Sequence, residues 1–222
     1  RGNNKMMQVI PAGRLQLAVL ASGRGSNFDV LCQAIERGDL DADIKVLISD
    51  KENAPALDKA RKHNIEAVYL NPRSYNNRNE YETELVKLLK GYQVTVVALA
   101  GYMRLVGPVL LEHFPYRIVN IHPALLPAFP GLQAQQQAVD YGVKYSGCTV
   151  HIVDAGMDTG PILMQAVVPV LPDDNADTLA QRILVEEHQI YWGSLQLLAE
   201  GRVYIDGRKA VIGGFIDEKG AH

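Results

Sequence analysis

Short apolar runs alternate with segments whose apolar residues recur every three or four positions, and this rhythm holds up to residue 101. Residues 15–22 (LQLAVLAS), 43–50 (DIKVLISD), 66–71 (EAVYLN) and 94–101 (VTVVALAG) predict strands. The last is apolar throughout, as expected for a strand covered on both faces. Between them, SNFDVLCQAIERGD sets Phe28, Leu31, Cys32 and Ile35 at helical spacing. APALDKARKHN predicts a helix ending near Asn64, and residues 78–92 an amphipathic helix with a Gly after its last periodic residue. Such alternation argues for a parallel sheet with right-handed crossovers.

Past residue 101 the rhythm changes. YRIVNIHP, SGCTVHIVD and PILMQAVVPV predict strands, the last two so close together that part of this half is expected to be antiparallel. QAQQQAVDYG predicts a short helix, residues 178–201 the longest one, and RVYIDGRKAVIGG a terminal hairpin. The fold class is α/β: a mostly parallel sheet with helices on both faces and antiparallel strands in the C-terminal half. Residues 1–14 are expected to be a flexible extension, and 15–216 a single domain.

The 222 residues, 47% hydrophobic and 21% charged, fit one soluble globular unit. A formal net charge of −3 gives no global positive field for nucleic acid. No apolar run is long enough to span a membrane, and the first residues lack the apolar core of a signal peptide. Cys32 and Cys148 form no framework; they read as reduced, which suits a cytoplasmic location. No CxxC, HExxH or zinc-spaced cluster points to a metal.

Five stretches carry candidate chemistry. ASGRGSN (21–27) follows a strand and opens a helix; Gly23 and Gly25 allow close backbone approach, and Ser26 or Asn27 can cap the helix. This suits an anion such as phosphate, against the plain reading of a capped tight turn. It is neither GxGxxG nor a P-loop. In RIVNIHPALLPAFPG, Asn120 and His122 leave one face of an extended segment, where an amide and an imidazole can donate to an oxyanion. The plain reading is a structural pair bonding loop backbone. Leu126–Pro127 and Phe129–Pro130 are both able to hold a cis bond.

HIVDAGMDTGPI offers His151, Asp154 and Asp158; a carboxylate in that loop can orient an imidazole, although turn-capping is the commoner fate of such aspartates. VEEHQIY puts Glu187, His188 and Tyr191 near one helix face, against a strong plain reading as a solvated charged face. GYMRLVG lies past the carboxyl end of a strand, where its Met, Leu and Val can line a pocket for a flat ring or pack as an ordinary loop.

SGRGSN, AGYMRL, NIHPALLPAFPG, GCTVHIVDAGMDTGPI and EEHQIY, in this order, resemble the folate-dependent formyltransferase family from about Leu15 to about Gly214. SGRGSN narrows the resemblance to the branch acting on glycinamide ribonucleotide. The resemblance implies a Rossmann-like formyltransferase fold and transfer of a formyl group from 10-formyltetrahydrofolate, as co-substrate, in de novo purine synthesis. It implies Asn120, His122 and Asp158 as the catalytic trio, with no metal and no covalent enzyme intermediate. It implies Gly23, Arg24, Gly25, Ser26 and Asn27 at the substrate phosphate and Glu187 at the ribose. Met103, Arg104, Leu105 and Val106 match the folate pterin loop, Asp154, Ala155, Gly156 and Met157 with Asp158 the other wall, and Arg78 an arginine near the folate glutamate tail.

The implied partners are small molecules, with no nucleic acid and no membrane, acting on a monomer or homodimer. Gln133 stands where some relatives carry His, and Trp192 where Pro often follows EHxIY. A formyltetrahydrofolate hydrolase is the nearest rival; it is expected to have a regulatory domain before the fold and a second His where Pro123 stands. A transferase acting on methionyl-tRNA is expected to have a further basic C-terminal domain. A non-catalytic folate- or nucleotide-binding module would not need the whole trio.

Overall fold

The structure is a computed structural model and describes residues 6–214. After the short β1 (Met7–Gln8), strands β2 (Leu15–Ala21), β3 (Ala42–Ser49), β4 (Glu66–Tyr69) and β5 (Val96–Leu99) alternate with helices α1 (Ser26–Glu36), α2 (Pro55–Lys62) and α3 (Arg78–Gly91). The chain continues through α4 (Pro108–His113), β6 (Ile118–His122), α5 (Ala134–Tyr141), β7 (Tyr145–Ile152), β8 (Ile162–Pro169) and α6 (Ala176–Ala199). It closes on the hairpin β9 (Val203–Asp206) and β10 (Lys209–Ile212).

The main sheet has seven strands in the order β4-β3-β2-β5-β6-β7-β8. Its first five strands run parallel, and β7 and β8 are antiparallel additions, as the sequence predicts. Side chains alternate across it. Leu17, Val19 and Ala21 of β2, with Val96 and Ala98 of β5, join Phe28 and Leu31 of α1, Leu57 of α2 and Leu195 of α6 in one core. Ala18, Leu20, Val97 and Leu99 join Tyr81, Leu85 and Leu89 of α3 and Leu110 of α4 in the other. A period of two under helices on both faces explains why these strands are apolar at every position.

Strand order reverses between β2 and β5, so the loops after their carboxyl ends flank a switch-point crevice. Gly25 packs tightly there: a Cβ on it would stand 2.9 Å from Ala56 Cβ at the start of α2.

Two features differ from expectation. The stretch expected to be a free extension contributes β1, which pairs with β9, while Val9 is buried with Val203 and Ile205 in the first core. Residues 1–5 of that stretch, and 215–216 of the expected domain, lie outside the described residues. Helix α4 was not anticipated, because six residues opening on Pro carry no helical periodicity. Helix α3 ends at Gly91 with Tyr92 as its C-cap, within the expected 78–92.

Candidate active site

Asn120 and His122 leave β6 on one face because alternate strand residues do. Antiparallel pairing sets His151 opposite Asn120 and Thr149 opposite His122. Thr149 is buried and holds the proline-rich turn that follows His122. Its hydroxyl donates to the Ala124 carbonyl at 2.7 Å and accepts the Leu126 N–H at 3.1 Å. The turn contains a cis Leu126–Pro127 peptide and returns Phe129 to His122. The Phe129 carbonyl accepts from His122 Nε2 at 2.8 Å. A carbonyl cannot donate, so Nε2 carries the hydrogen and Nδ1 is left facing the site.

Asp158 enters from the loop after β7 with a left-handed backbone, φ 54°, a conformation that Asp adopts more readily than most non-glycine residues. Its Oδ2 accepts the Gly131 N–H at 2.8 Å and lies 3.5 Å from His122 Nδ1. Its Oδ1 lies 3.7 Å from His151 Nε2. Burial works to raise the Asp158 carboxyl. His151, the Gly131 N–H and the charge of the two imidazoles outweigh that and hold it below its ordinary value. His151 Nε2 also lies 3.4 Å from Asn120 Nδ2, and its Nδ1 lies 3.2 Å from the Ile152 carbonyl. Asn120, His122 and Asp158 therefore converge, and His151 completes the cluster. Sequence reading noticed His151 but gave it no role; the β6–β7 register is what makes it a neighbour.

The Gly-rich turn bends at Gly25, the N-cap of α1, with φ 71°. No side chain caps this helix, which corrects the expected capping by Ser26 or Asn27 and leaves its first N–H groups open. Arg24 is exposed and Asn27 is buried. Asn27 meets Glu187 of α6. Burial pushes the Glu187 carboxyl up to about 7, against the lowering effect of the Asn27 amide. The face of α6 bearing Glu187 and Tyr191 is thus buried, not solvated as the plain reading expected. The Tyr191 hydroxyl reaches the carbonyls of Leu99 at 2.5 Å and Val119 at 3.2 Å, where β5 and β6 stop pairing.

The loop after β5 exposes Met103 and Leu105, while Arg104 lies over the Tyr81 ring, 5.0 Å from its centroid. The loop ends where buried Glu82 accepts the N–H groups of Gly107 and Leu110, which serves as a distant N-terminal cap for α4. Arg78 is exposed at the start of α3, its Nε 2.7 Å from where a Cβ on Gly107 would stand. Asp154 takes the plain reading: it accepts from Gly156 N–H at 3.0 Å and from the Thr159 hydroxyl at 2.5 Å, shaping its own loop. Met157 in that loop is exposed and packs against Gly131. Among the described residues, no group of three or more His, Cys, Asp and Glu side chains is arranged to hold a metal ion.

A family model described as formyl transferase matches residues 15–195. Over 176 residues the chain is 43% identical to phosphoribosylglycinamide formyltransferase of Bacillus subtilis (strain 168), covering 79% of this chain and 90% of that protein. Over 203 residues it is 39% identical to the trifunctional purine biosynthetic protein adenosine-3 of Drosophila melanogaster, spanning 90% of this chain and 15% of that longer protein. Among solved structures, glycinamide ribonucleotide transformylase 1 from Symbiobacterium toebii superposes with a TM-score of 0.88 at 47% identity, over 89% of this chain and 93% of that one.

Proposed function

The chain belongs to the formyl transferase family, and we propose that it transfers a formyl group from 10-formyltetrahydrofolate to the amine of glycinamide ribonucleotide, a step of de novo purine synthesis. The observation that carries this reading is the meeting of Asn120, His122 and Asp158 at the carboxyl end of β6.

The amine lone pair attacks the formyl carbon, and the carbonyl π pair moves onto oxygen. Two donors face that oxyanion. Asn120 supplies an Nδ2–H; its amide is held beside the His151 ring, Nδ2 3.4 Å from Nε2. His122, as an imidazolium, supplies Nδ1–H, because Nε2–H is committed to Phe129. At 3.5 Å the Asp158 carboxylate lies beside Nδ1 without consuming its hydrogen in a normal hydrogen bond. Collapse of the intermediate breaks the bond from the formyl carbon to N10. The proton lost by the amine reaches N10 with help from Asp158, directly or through water. The scheme uses no metal and no covalent enzyme intermediate.

Around this centre, the N–H groups of Gly23–Asn27 and the α1 N-terminus hold the phosphate, and Glu187 contacts the ribose. Met103–Val106 form one wall for the pterin and Asp154–Met157 the other, with Arg78 near the glutamate tail. The reading carries a cytoplasmic enzyme acting as a monomer or homodimer.

The test is product analysis. Incubated with both substrates, the protein is expected to yield formylated nucleotide and tetrahydrofolate in equal amounts. Loss of the formyl group to water, with the nucleotide unchanged, would make it a hydrolase instead.

A further inference from the structure

One hydroxyl joins the ends of three parallel strands at the switch point. Ser22, directly after β2, donates from Oγ to Asp50 Oδ1 at 2.5 Å, just past β3. The same oxygen accepts the backbone N–H of Met103 at 2.9 Å, past β5. The Ser22 N–H goes to the Gly101 carbonyl at 3.1 Å. Asp50 is buried, and its Oδ1 accepts the hydroxyl hydrogen, which sets the hydroxyl rotor. With its only hydrogen committed there, Ser22 Oγ can meet Met103 only as an acceptor.

The rest of that loop is held by other groups. The Tyr102 hydroxyl lies 3.4 Å from that of Tyr81, Arg104 stacks on the Tyr81 ring, and Glu82 takes the N–H groups of Gly107 and Leu110. At the loop's near end the Met103 N–H is held by Ser22 Oγ, beside the backbone bond from the Ser22 N–H to the Gly101 carbonyl. By sequence Ser22 belongs to the Gly-rich stretch, but its side-chain bonds run to Asp50 and Met103.

We propose that Ser22 is a positioning residue for the formyl donor and not for the nucleotide: through the Met103 N–H it sets the loop at 103–106, with Asp50 fixing its hydroxyl. The inference rests on the reading of that loop as a folate wall.

Steady-state kinetics on both substrates tests it. Ser22→Ala should raise the KM for 10-formyltetrahydrofolate about tenfold, the effect of one lost hydrogen bond. The KM for glycinamide ribonucleotide and kcat should stay within about twofold. Ser22→Thr, which keeps the hydroxyl, should return the donor KM to within about threefold of the unmodified value. Should Ser22→Ala fail to fold, Ser22→Cys carries the same comparison, because a thiol is a weak donor and a weak acceptor. A rise in the nucleotide KM instead, an unchanged donor KM, or no rescue by Ser22→Thr would overturn the proposal. An unmodified protein without nucleotide-dependent turnover would be a separate failure, that of the transferase reading itself.

Discussion

His122 gives its Nε2–H to the carbonyl of Phe129 at 2.8 Å, which fixes the ring with Nδ1 turned toward Asp158. Neutral His122 must then be the Nε2–H tautomer, and protonation must occur at Nδ1. Nitrogen-15 NMR of the labelled ring across a pH titration reads this directly. A neutral form protonated at Nδ1 would contradict the Nε2–H bond to the Phe129 carbonyl. His122→Ala should lower kcat by at least about 10² while circular dichroism keeps the native signal.

His151 should matter through Asn120. Its Nε2 faces Asn120 Nδ2 from the paired strand and so orients the amide. His151→Leu should lower kcat by about 10–10², less than the loss of an oxyanion donor itself, with both KM values unchanged. A rise in KM without a fall in kcat would assign His151 to substrate binding.

The two glycines of the first turn should respond differently. A Cβ on Gly23 meets nothing within 4 Å, whereas one on Gly25 would press on Ala56 at a φ of +71°. Gly23→Val should keep its melting temperature and raise the nucleotide KM by at least about tenfold. Gly25→Ala should lose on the order of 1–3 kcal/mol of stability as well. Unaltered nucleotide affinity in Gly23→Val would remove this turn from the phosphate site.

Glu187 should make stability depend on pH. Its carboxyl rises from 4.5 to about 7 on burial. That contribution is complete below the unfolded value and is lost as pH climbs through the folded one. Glu187→Gln removes the cost of ionising it. The stability of the variant relative to the unmodified protein should therefore grow between about pH 5 and pH 9, by on the order of 2–3 kcal/mol. Denaturant unfolding at both ends of that range checks it, and a flat difference would mean that Glu187 ionises freely.

Much of the fold was legible in the sequence because apolar runs such as residues 94–101 and the helical spacing of Phe28, Leu31 and Cys32 are local signals. What stayed hidden depends on distant partners. Helix α4 is capped by Glu82 from α3, and β1 exists by pairing with residues at the far end of the chain. The polar face at Glu187 became a buried one because the Gly-rich turn packs against it, which no periodicity on α6 reveals. In the site, Asn120 and His122 could be read from strand alternation. Asp158 could be named but not aimed, since its direction comes from a positive φ and the Gly131 N–H. His151 needed the β6–β7 register, which side-chain patterns leave open.

The most direct test follows the formyl donor spectrophotometrically, with and without glycinamide ribonucleotide, for the unmodified protein and for Asp158→Asn. The account predicts deformylation only when the nucleotide is present, and a fall in kcat of at least about 10² in the variant. Deformylation without the nucleotide, or an Asp158→Asn variant that turns over at the normal rate, would contradict it.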